Sequence, residues 1–183
     1  MEERPVRKQN RIKSFDYSQN GVYFITICTE NRKCLLARII PATTHTLPTV
    51  PTVGGGVLDA PQVHLSDFGR VVDRQIRQMN AVYSEIKAEK YVIMPNHIHL
   101  LLMIDRGAVV TSGTSRTPSP TNALIPRYVS TLKRMCNKVF GQNIWQRSFH
   151  DHVIREERDY QMIWQYIDAN PALWEKDCFY TEE

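Results

Sequence analysis

The sequence predicts an α+β sandwich, in which helices pack on one side of an antiparallel sheet. The apolar patterns follow one another in the order strand, helix, strand, strand, helix, helix, which is typical of that class. Pro95-Asn96 alone separates two of the strands, at residues 86–94 and 97–104, which favours an antiparallel pair. The 183 residues suit one domain spanning 1–183, and no internal repeat divides them.

The strands and helices are predicted from residue type and spacing. Residues 22–28 are β-branched and aromatic, so they form a strand covered on both faces. Ser66 caps a helix whose apolar residues recur at helical spacing. A basic amphipathic helix covers 124–140 and ends at Gly141. Residues 144–155 are extended, as an edge strand, and the last helix covers 156–169 until Asn170-Pro171 stops it.

Three segments lie outside these elements. Residues 1–15 form a basic N-terminal arm. Residues 41–61 and 107–121 are rich in Pro, Thr, Ser and Gly, which predicts two flexible surface loops.

Composition excludes several classes of protein. No apolar run approaches the roughly 20 residues of a membrane span, and the charged N-terminus has no apolar signal core, so a cytoplasmic protein is expected. The four cysteines show no C-x-x-C pairing, which argues against a zinc ribbon or disulfide framework and favours free, mostly buried thiols.

Basic residues are concentrated in one part of the chain. No Asp or Glu occurs from residue 106 to 150, and such one-sided positive charge attracts phosphate backbones. A solvated helix face is the equally weighted alternative. The candidate DNA contacts in this segment are Arg127, Lys133, Arg134, Lys138 and Arg147. The segment that follows adds His152 and Arg155.

Two histidines alternate on the predicted strand at 97–104. Side chains two apart on a strand share a face, so His97 and His99 can share one divalent cation, while Ile98 points to the core. The pair alone is a weak signal, and His150 and His152 have the same spacing in a more polar segment. That second pair can instead contact phosphate or bases.

The last helix offers a tyrosine and an amide together. Its apolar stripe should face the sheet, and Tyr166 lies off the centre of that stripe with Asn170 one turn further on. If this edge faces His97 and His99, Asn170 can supply a third metal ligand beside the Tyr166 hydroxyl. A cation there would stabilise charge on a phosphate that the tyrosine attacks. The alternative is that Tyr166 packs at the edge of the core.

Several motifs together resemble a known family. The run MPNHIHLLL at 94–102 resembles the signature of insertion-sequence (IS200-like) transposases of the HUH (His-hydrophobe-His) superfamily. The segments WQ at 145–146, DHVIR at 151–155 and YIDANP at 166–171 are similar, in this order, to those of REP-associated tyrosine transposases. The resemblance spans roughly residues 15–175.

The resemblance implies a fold, a mechanism and a set of roles. The fold would be ferredoxin-like or RNA-recognition-motif-like, with His97 and His99 as ligands of Mg²⁺ or Mn²⁺ and Asn170 at the position of the third ligand. Tyr166 matches the nucleophile, which would attack single-stranded DNA near a hairpin and leave a 5′-phosphotyrosine and a free 3′-hydroxyl. Relatives include dimers that supply the tyrosine in trans, so monomer and homodimer both stay open.

Two other functions remain alternatives. One is a catalytically silent, domesticated DNA- or RNA-binding protein on the same fold, against which the intact His97, His99 and Tyr166 argue. The other is a metal-dependent hydrolase without a covalent intermediate, in which Tyr166 would be dispensable.

Overall fold

The structure, a computed structural model, describes residues 16–17, 19–40, 61–107 and 123–181. The strands are β1 (Gly21–Cys28), β2 (Ala37–Ile40), β3 (Gln62–Leu65), β4 (Ile86–Ile93), β5 (His97–Ile104) and β6 (His150–Ile154). The α-helices are α1 (Asp67–Val82), α2 (Leu124–Phe140) and α3 (Glu157–Ala169). Short 3-10 helices cover Glu30–Arg32 and Asn170–Lys176.

The main sheet has four antiparallel strands in the order β4-β5-β1-β6. Thr26 of the central strand β1 lies opposite His99 of the other central strand, β5. On its other side, Thr26 lies opposite His150 of the edge strand β6. The predicted α+β class and the antiparallel pairing of β4 with β5 are therefore confirmed. A β-bulge at residues 88–90 interrupts the β4 register.

The core lies on one face of the sheet, under α1 and α2. Alternation along β5 buries Ile98, Leu100, Leu102 and Ile104 there, each at most 1% exposed. The apolar stripes of α1 and α2 cover them. The helix α3 lies over the other face, where it contacts β4, His99 of β5, Phe24 of β1 and His152 of β6.

Two features differ from the sequence prediction: the length of the last strand and the presence of a β2–β3 ladder. Only 150–154 of the predicted extended segment is a strand; residues 144–149 follow irregular backbone that Lys133 holds through Gln146 O and Ser148 O, at 2.7 and 2.9 Å. The last α-helix ends at Ala169, as predicted, and a separate 3-10 helix follows from Asn170, with Pro171 in its first turn. The β2–β3 ladder was not predicted, because four-residue strands carry little periodicity.

The sequence also makes predictions about the N-terminal arm, two loops, membrane spans and the cysteines. The arm at 1–15 and the loop segments 41–60 and 108–121 lie outside the described residues. Within the described residues, no helix is long and apolar enough to cross a membrane. All four cysteines are free; Cys28 and Cys136 are buried, Cys34 is half-buried and Cys178 is exposed.

The first turn of α1 is pressed against the segment that enters β2. Ser66 caps the helix by accepting a hydrogen bond from the Gly69 amide, as predicted, and its own amide donates to Leu36 O. A Cβ on Gly69 would lie 2.0 Å from Leu36 O, which is backbone and cannot rotate away.

We therefore expect Gly69→Ala to lower the free energy of unfolding by about 1–3 kcal/mol, the usual cost of forcing backbone apart. Urea unfolding monitored by circular dichroism measures it. The matched control is Gly141→Ala: Gly141 has a φ of +70° but open space, so only the milder left-handed strain of about 1 kcal/mol applies. Equal losses for the two variants would contradict the clash.

Candidate metal and nucleophile site

The two histidines of β5 meet on the face of the sheet opposite the core. Their Nε2 atoms lie 3.0 Å apart, and the side chains are 0% and 1% exposed. The HxH spacing is the reason, because alternate residues of a strand share a face. The sequence prediction that His97 and His99 converge is confirmed by this distance.

Neighbouring side chains orient both rings. The Asn96 amide nitrogen donates to Arg32 O and Phe179 O, so its Oδ1 faces His97 Nδ1 at 2.9 Å. The proton of His97 is thereby held on Nδ1, which leaves the Nε2 lone pair directed into the site. His99 Nδ1 lies 2.8 Å from the Thr26 hydroxyl, which fixes the orientation of that ring.

Burial keeps both imidazoles uncharged. It lowers the pKa of His97 to about 4, since the Asp177 carboxylate offsets only part of the desolvation. Burial, together with the neighbouring His97, also lowers the pKa of His99 well below its usual value. Neutral imidazoles are the form that binds metal ions, so the pair is ready to act as ligands at neutral pH.

The helix α3 brings Tyr166 to this pair. Its hydroxyl lies 3.3 Å from His99 Nε2 and donates to Asp177 Oδ2 at 3.2 Å, and its side chain remains 36% exposed. The Phe24 ring supports it edge-on, with ring centroids 6.0 Å apart. Burial, with the charge and hydrogen bond of Asp177, raises the pKa of the Tyr166 phenol, so its proton is held more tightly than in water.

Interactions with β4 fix the other side of α3. Lys90 forms a 2.7 Å ion pair with Asp168 and stands 4.0 Å from the Trp164 ring centroid. Tyr160 donates to Glu89 of the same strand at 3.2 Å, well away from the imidazoles. Of the predicted apolar stripe, Ile167 is buried, while Tyr160, Ile163 and Trp164 are half-buried. These contacts fix the position of α3 against β4 and therefore the position of Tyr166.

Asp177 is a site residue that sequence reasoning missed. It follows the 3-10 helix, which turns the chain back so that its carboxylate, His97 and His99 offer ligand atoms all within 4.8 Å of one another. Asn170, the predicted third ligand, donates its amide NH₂ to Asp177 Oδ2 at 2.9 Å. No sequence signal marked Asp177, because it lies beyond the motifs and on no periodic element.

The donor set of two imidazoles and a carboxylate suits a divalent cation such as Mn²⁺. Two ligand atoms at right angles, each about 2.1 Å from an octahedral ion, lie about 3 Å apart, as His97 Nε2 and His99 Nε2 do at 3.0 Å. The side-chain oxygen of Asn170 is buried and has no hydrogen-bond partner, which is costly unless something polar engages it. The residues present therefore fit a metal ion, and among the described residues no second cluster of this kind occurs.

The competing histidine pair is separated by the structure. His152 Nε2 lies 2.7 Å from Asp159 Oδ2, so it joins β6 to the start of α3. His150 is exposed and lies beside the Phe179 ring, with centroids 6.1 Å apart. Two rings with different neighbours do not form a shared ligand set.

The basic residues divide between two surfaces. The exposed side chains Arg127, Arg134 and Lys138 follow one another at helical spacing on α2, on the far side of the sheet from the imidazoles. Lys133 lies between them but is engaged with backbone carbonyls. Arg147, His152 and Arg155 are exposed on or next to the edge strand β6, where the α2 side of the sheet meets the side that carries the imidazoles.

Comparisons with known proteins give sequence relatives and a fold. No family model matches the chain. It is 29% identical over 190 residues to an uncharacterized protein of Haemophilus influenzae, covering 96% of this chain and 94% of that one. It is also 29% identical over 83 residues to a protein of the same organism named "Putative REP-associated tyrosine transposase", but that match covers 44% of this chain and 46% of the relative.

A solved structure shares the fold. It is a REP-associated tyrosine transposase bound to a REP hairpin, similar with a TM-score of 0.54 and 19% identity, covering 91% of this chain and 73% of that one. At that identity the likeness establishes the α+β architecture, with its four-stranded antiparallel sheet and packed helices.

Proposed function

We propose that this protein is a transposase-type single-stranded DNA endonuclease and strand transferase that forms a 5′-phosphotyrosine intermediate in DNA transposition. The observation that carries the proposal is the position of the Tyr166 hydroxyl, 3.3 Å from His99 Nε2 at a pair of neutral, buried imidazoles. The similarity to tyrosine transposases supports the same reaction class.

Tyr166 is the proposed nucleophile. Its oxygen attacks a DNA phosphorus, the bond from phosphorus to the 3′ oxygen breaks, and the strand is left as a 5′-phosphotyrosine and a free 3′-hydroxyl. Attack of that hydroxyl on the adduct reverses the step and rejoins the strand. Asp177 accepts the tyrosine's hydrogen bond and is therefore placed to take its proton.

Mg²⁺ or Mn²⁺ is the proposed cofactor, held by His97, His99 and Asp177, with Asn170 as a further candidate. When bound, such an ion would polarise the phosphate and stabilise its developing charge. The raised pKa of Tyr166 makes this contribution important, since a buried phenol beside a carboxylate is otherwise a poor nucleophile.

Single-stranded DNA close to a hairpin is the proposed substrate, as the hairpin bound to the transposase of similar fold suggests. We propose that a DNA that contacts both α2 and Tyr166 passes around the β6 edge, because the exposed basic residues Arg147, His152 and Arg155 lie there. The protein would act on chromosomal DNA in the cytoplasm. Since α3 places Tyr166 beside His99 of its own chain, we propose cleavage in cis, by a monomer or within each subunit of a homodimer.

A covalent-adduct assay tests the function. Labelled single-stranded DNA from the gene's flanks, with its hairpins, is incubated with wild-type protein and Mn²⁺ or Mg²⁺, and adducts are resolved on a denaturing gel. We expect a protein-linked band that EDTA prevents. Metal-dependent cleavage without that band would instead indicate a hydrolase, and binding without cleavage would indicate a silent DNA-binding protein.

The basic stripe on α2 makes a separate prediction about binding. Replacing Arg127, Arg134 and Lys138 together by Gln should weaken binding of a hairpin and reduce the slope of log affinity against log salt by about 0.9 for each phosphate that the variant no longer neutralises. Fluorescence anisotropy across a salt series measures both quantities.

The control for that variant is Arg74→Gln with Arg77→Gln, which removes exposed cations from α1. It should leave the slope nearly unchanged. If the α2 variant keeps the wild-type slope, the DNA surface lies elsewhere, with the β6 edge next to be tested.

A further inference from the structure

We propose that His150 is the general acid that gives a proton to the leaving 3′ oxygen when Tyr166 attacks. The assignment rests on the proposed function and adds a second catalytic residue to it. Three observations support it: the register of strands β5, β1 and β6, the surroundings of the Phe179 ring, and the different partners of His150 and His152.

The sheet register places His150 in the same row as His99. Thr26 of β1 is opposite His99 on one side and opposite His150 on the other, and directly opposed residues of antiparallel strands project from the same face. With strands about 4.8 Å apart, the backbone of His150 lies roughly 10 Å from that of His99. The two side chains therefore border one space above Thr26 from opposite sides.

The Phe179 ring shows that this space is shared. Its centroid is 4.7 Å from the His97 ring and 6.1 Å from the rings of both His99 and His150. A group of about the same size, centred there, would face all three imidazoles. In the proposed complex, the DNA strand that reaches Tyr166 displaces that ring, and its phosphodiester lies in the ring's place.

Because the displacement is in line, the leaving group lies on the side of this space that is farther from Tyr166. The attacking and leaving oxygens lie on opposite sides of phosphorus. Tyr166 approaches from the side of His99, at 3.3 Å, so the 3′ oxygen departs toward β6. His150 is the histidine that β6 presents there.

The partners of the two β6 histidines favour His150 over His152. His152 is engaged by Asp159 at 2.7 Å, which holds it against the start of α3. His150 is exposed and has no hydrogen-bond or ion-pair partner among the described residues. An imidazolium at His150 is thus able to turn toward a substrate oxygen and transfer its proton.

The step balances in atoms and charge. The Tyr166 oxygen forms a bond to phosphorus and its proton passes to Asp177. The bond from phosphorus to the 3′ oxygen breaks with its electron pair on that oxygen. His150 gives its proton to the oxygen, so the 3′-hydroxyl leaves neutral and His150 becomes a neutral imidazole. Rejoining uses the same groups in reverse, with neutral His150 as the base.

The test compares an ordinary oligonucleotide with one whose scissile 3′ oxygen is replaced by sulfur. A thiolate leaves without protonation because thiols are far more acidic than alcohols. We expect His150→Gln to slow adduct formation on the oxygen substrate by roughly 10²-fold or more, in line with the loss of a general acid. On the sulfur substrate the variant should react within a few fold of wild type.

The control is His152→Gln, which removes a neighbouring histidine of the same strand. Its losses, if any, should be the same on both substrates, since it acts through the position of α3. Equal losses for His150→Gln on the two substrates, or no loss at all, would overturn the proposal. Unchanged anisotropy with the uncleaved hairpin and an unchanged thermal transition should accompany the expected result.

The wild-type protein separates failure of this proposal from failure of the function itself. If it forms adducts and His150→Gln behaves like it, only the role of His150 falls. If it forms no adduct with either substrate, the tyrosine nuclease falls and the assignment of His150 falls with it.

Discussion

Replacing Tyr166 by Phe should abolish the covalent adduct, with a loss of at least about 10³-fold in its rate, as expected when a nucleophile is removed. The change deletes one oxygen, which lies 3.3 Å from His99 Nε2, and keeps the ring that packs edge-on against Phe24. Fold and DNA binding should therefore survive. Adduct formation on a denaturing gel, with anisotropy to measure binding, is the readout.

Tyr160→Phe is the matched control, since Tyr160 lies on the same helix and its hydroxyl donates to Glu89 on β4. It should form adducts at close to the wild-type rate. The opposite pattern, with adduct abolished in Tyr160→Phe and kept in Tyr166→Phe, would move the nucleophile from Tyr166 to Tyr160. Metal-dependent cleavage that survives in Tyr166→Phe without an adduct would favour attack by water.

Much of this site could be predicted because it depends on local periodicity. The two-residue repeat of β5 puts His97 and His99 on one face and buries Ile98 on the other, whatever the rest of the chain does. The same reasoning places Tyr166 at the edge of the apolar stripe of α3. Adjacent residues of a helix point in different directions, and the neighbouring Ile167 is the one that points into the core. The periodicity of a strand or a helix therefore indicates which of its residues can meet a site.

The parts that could not be predicted depend on contacts between distant segments. Asp177 reaches the imidazoles only because a 3-10 helix turns the chain back and Asn96 holds that returning segment through Phe179 O. Likewise, Lys133 has the sequence context of a phosphate contact but donates to two backbone carbonyls some 13–15 residues away. Neither partner is visible in a periodic pattern, since nothing local encodes it.

The metal site makes the second large prediction. His97→Ala should weaken Mn²⁺ binding by at least about 100-fold, because changing a residue that only hydrogen-bonds a ligand already costs 10–100-fold and this change removes a proposed ligand. Isothermal titration with MnCl₂ alone measures it without DNA. His97 is fully buried against Phe179 and Trp174, so some stability will be lost as well. A variant that is folded by circular dichroism and binds Mn²⁺ as tightly as wild type would contradict the assignment.

Two further variants decide which residue completes the ligand set. Asp177→Asn removes the carboxylate of the three-residue cluster, whereas Asn170→Ala removes the amide that the motif implies. Hard cations prefer charged oxygen, so Asp177→Asn should cost more in Mn²⁺ affinity than Asn170→Ala. The reverse order would show that the Asn170 oxygen, buried without a partner here, is the ligand.

Asp177 also accepts a hydrogen bond from Tyr166, the proposed nucleophile, so it has two proposed roles, and saturating metal separates them. Its charge and hydrogen bond help to raise the pKa of Tyr166, so Asp177→Asn should lower that pKa while removing the group placed to take the proton. If Asp177 is only a ligand, excess Mn²⁺ restores the adduct rate. A rate that stays low at saturating Mn²⁺ assigns it to proton transfer from Tyr166 as well.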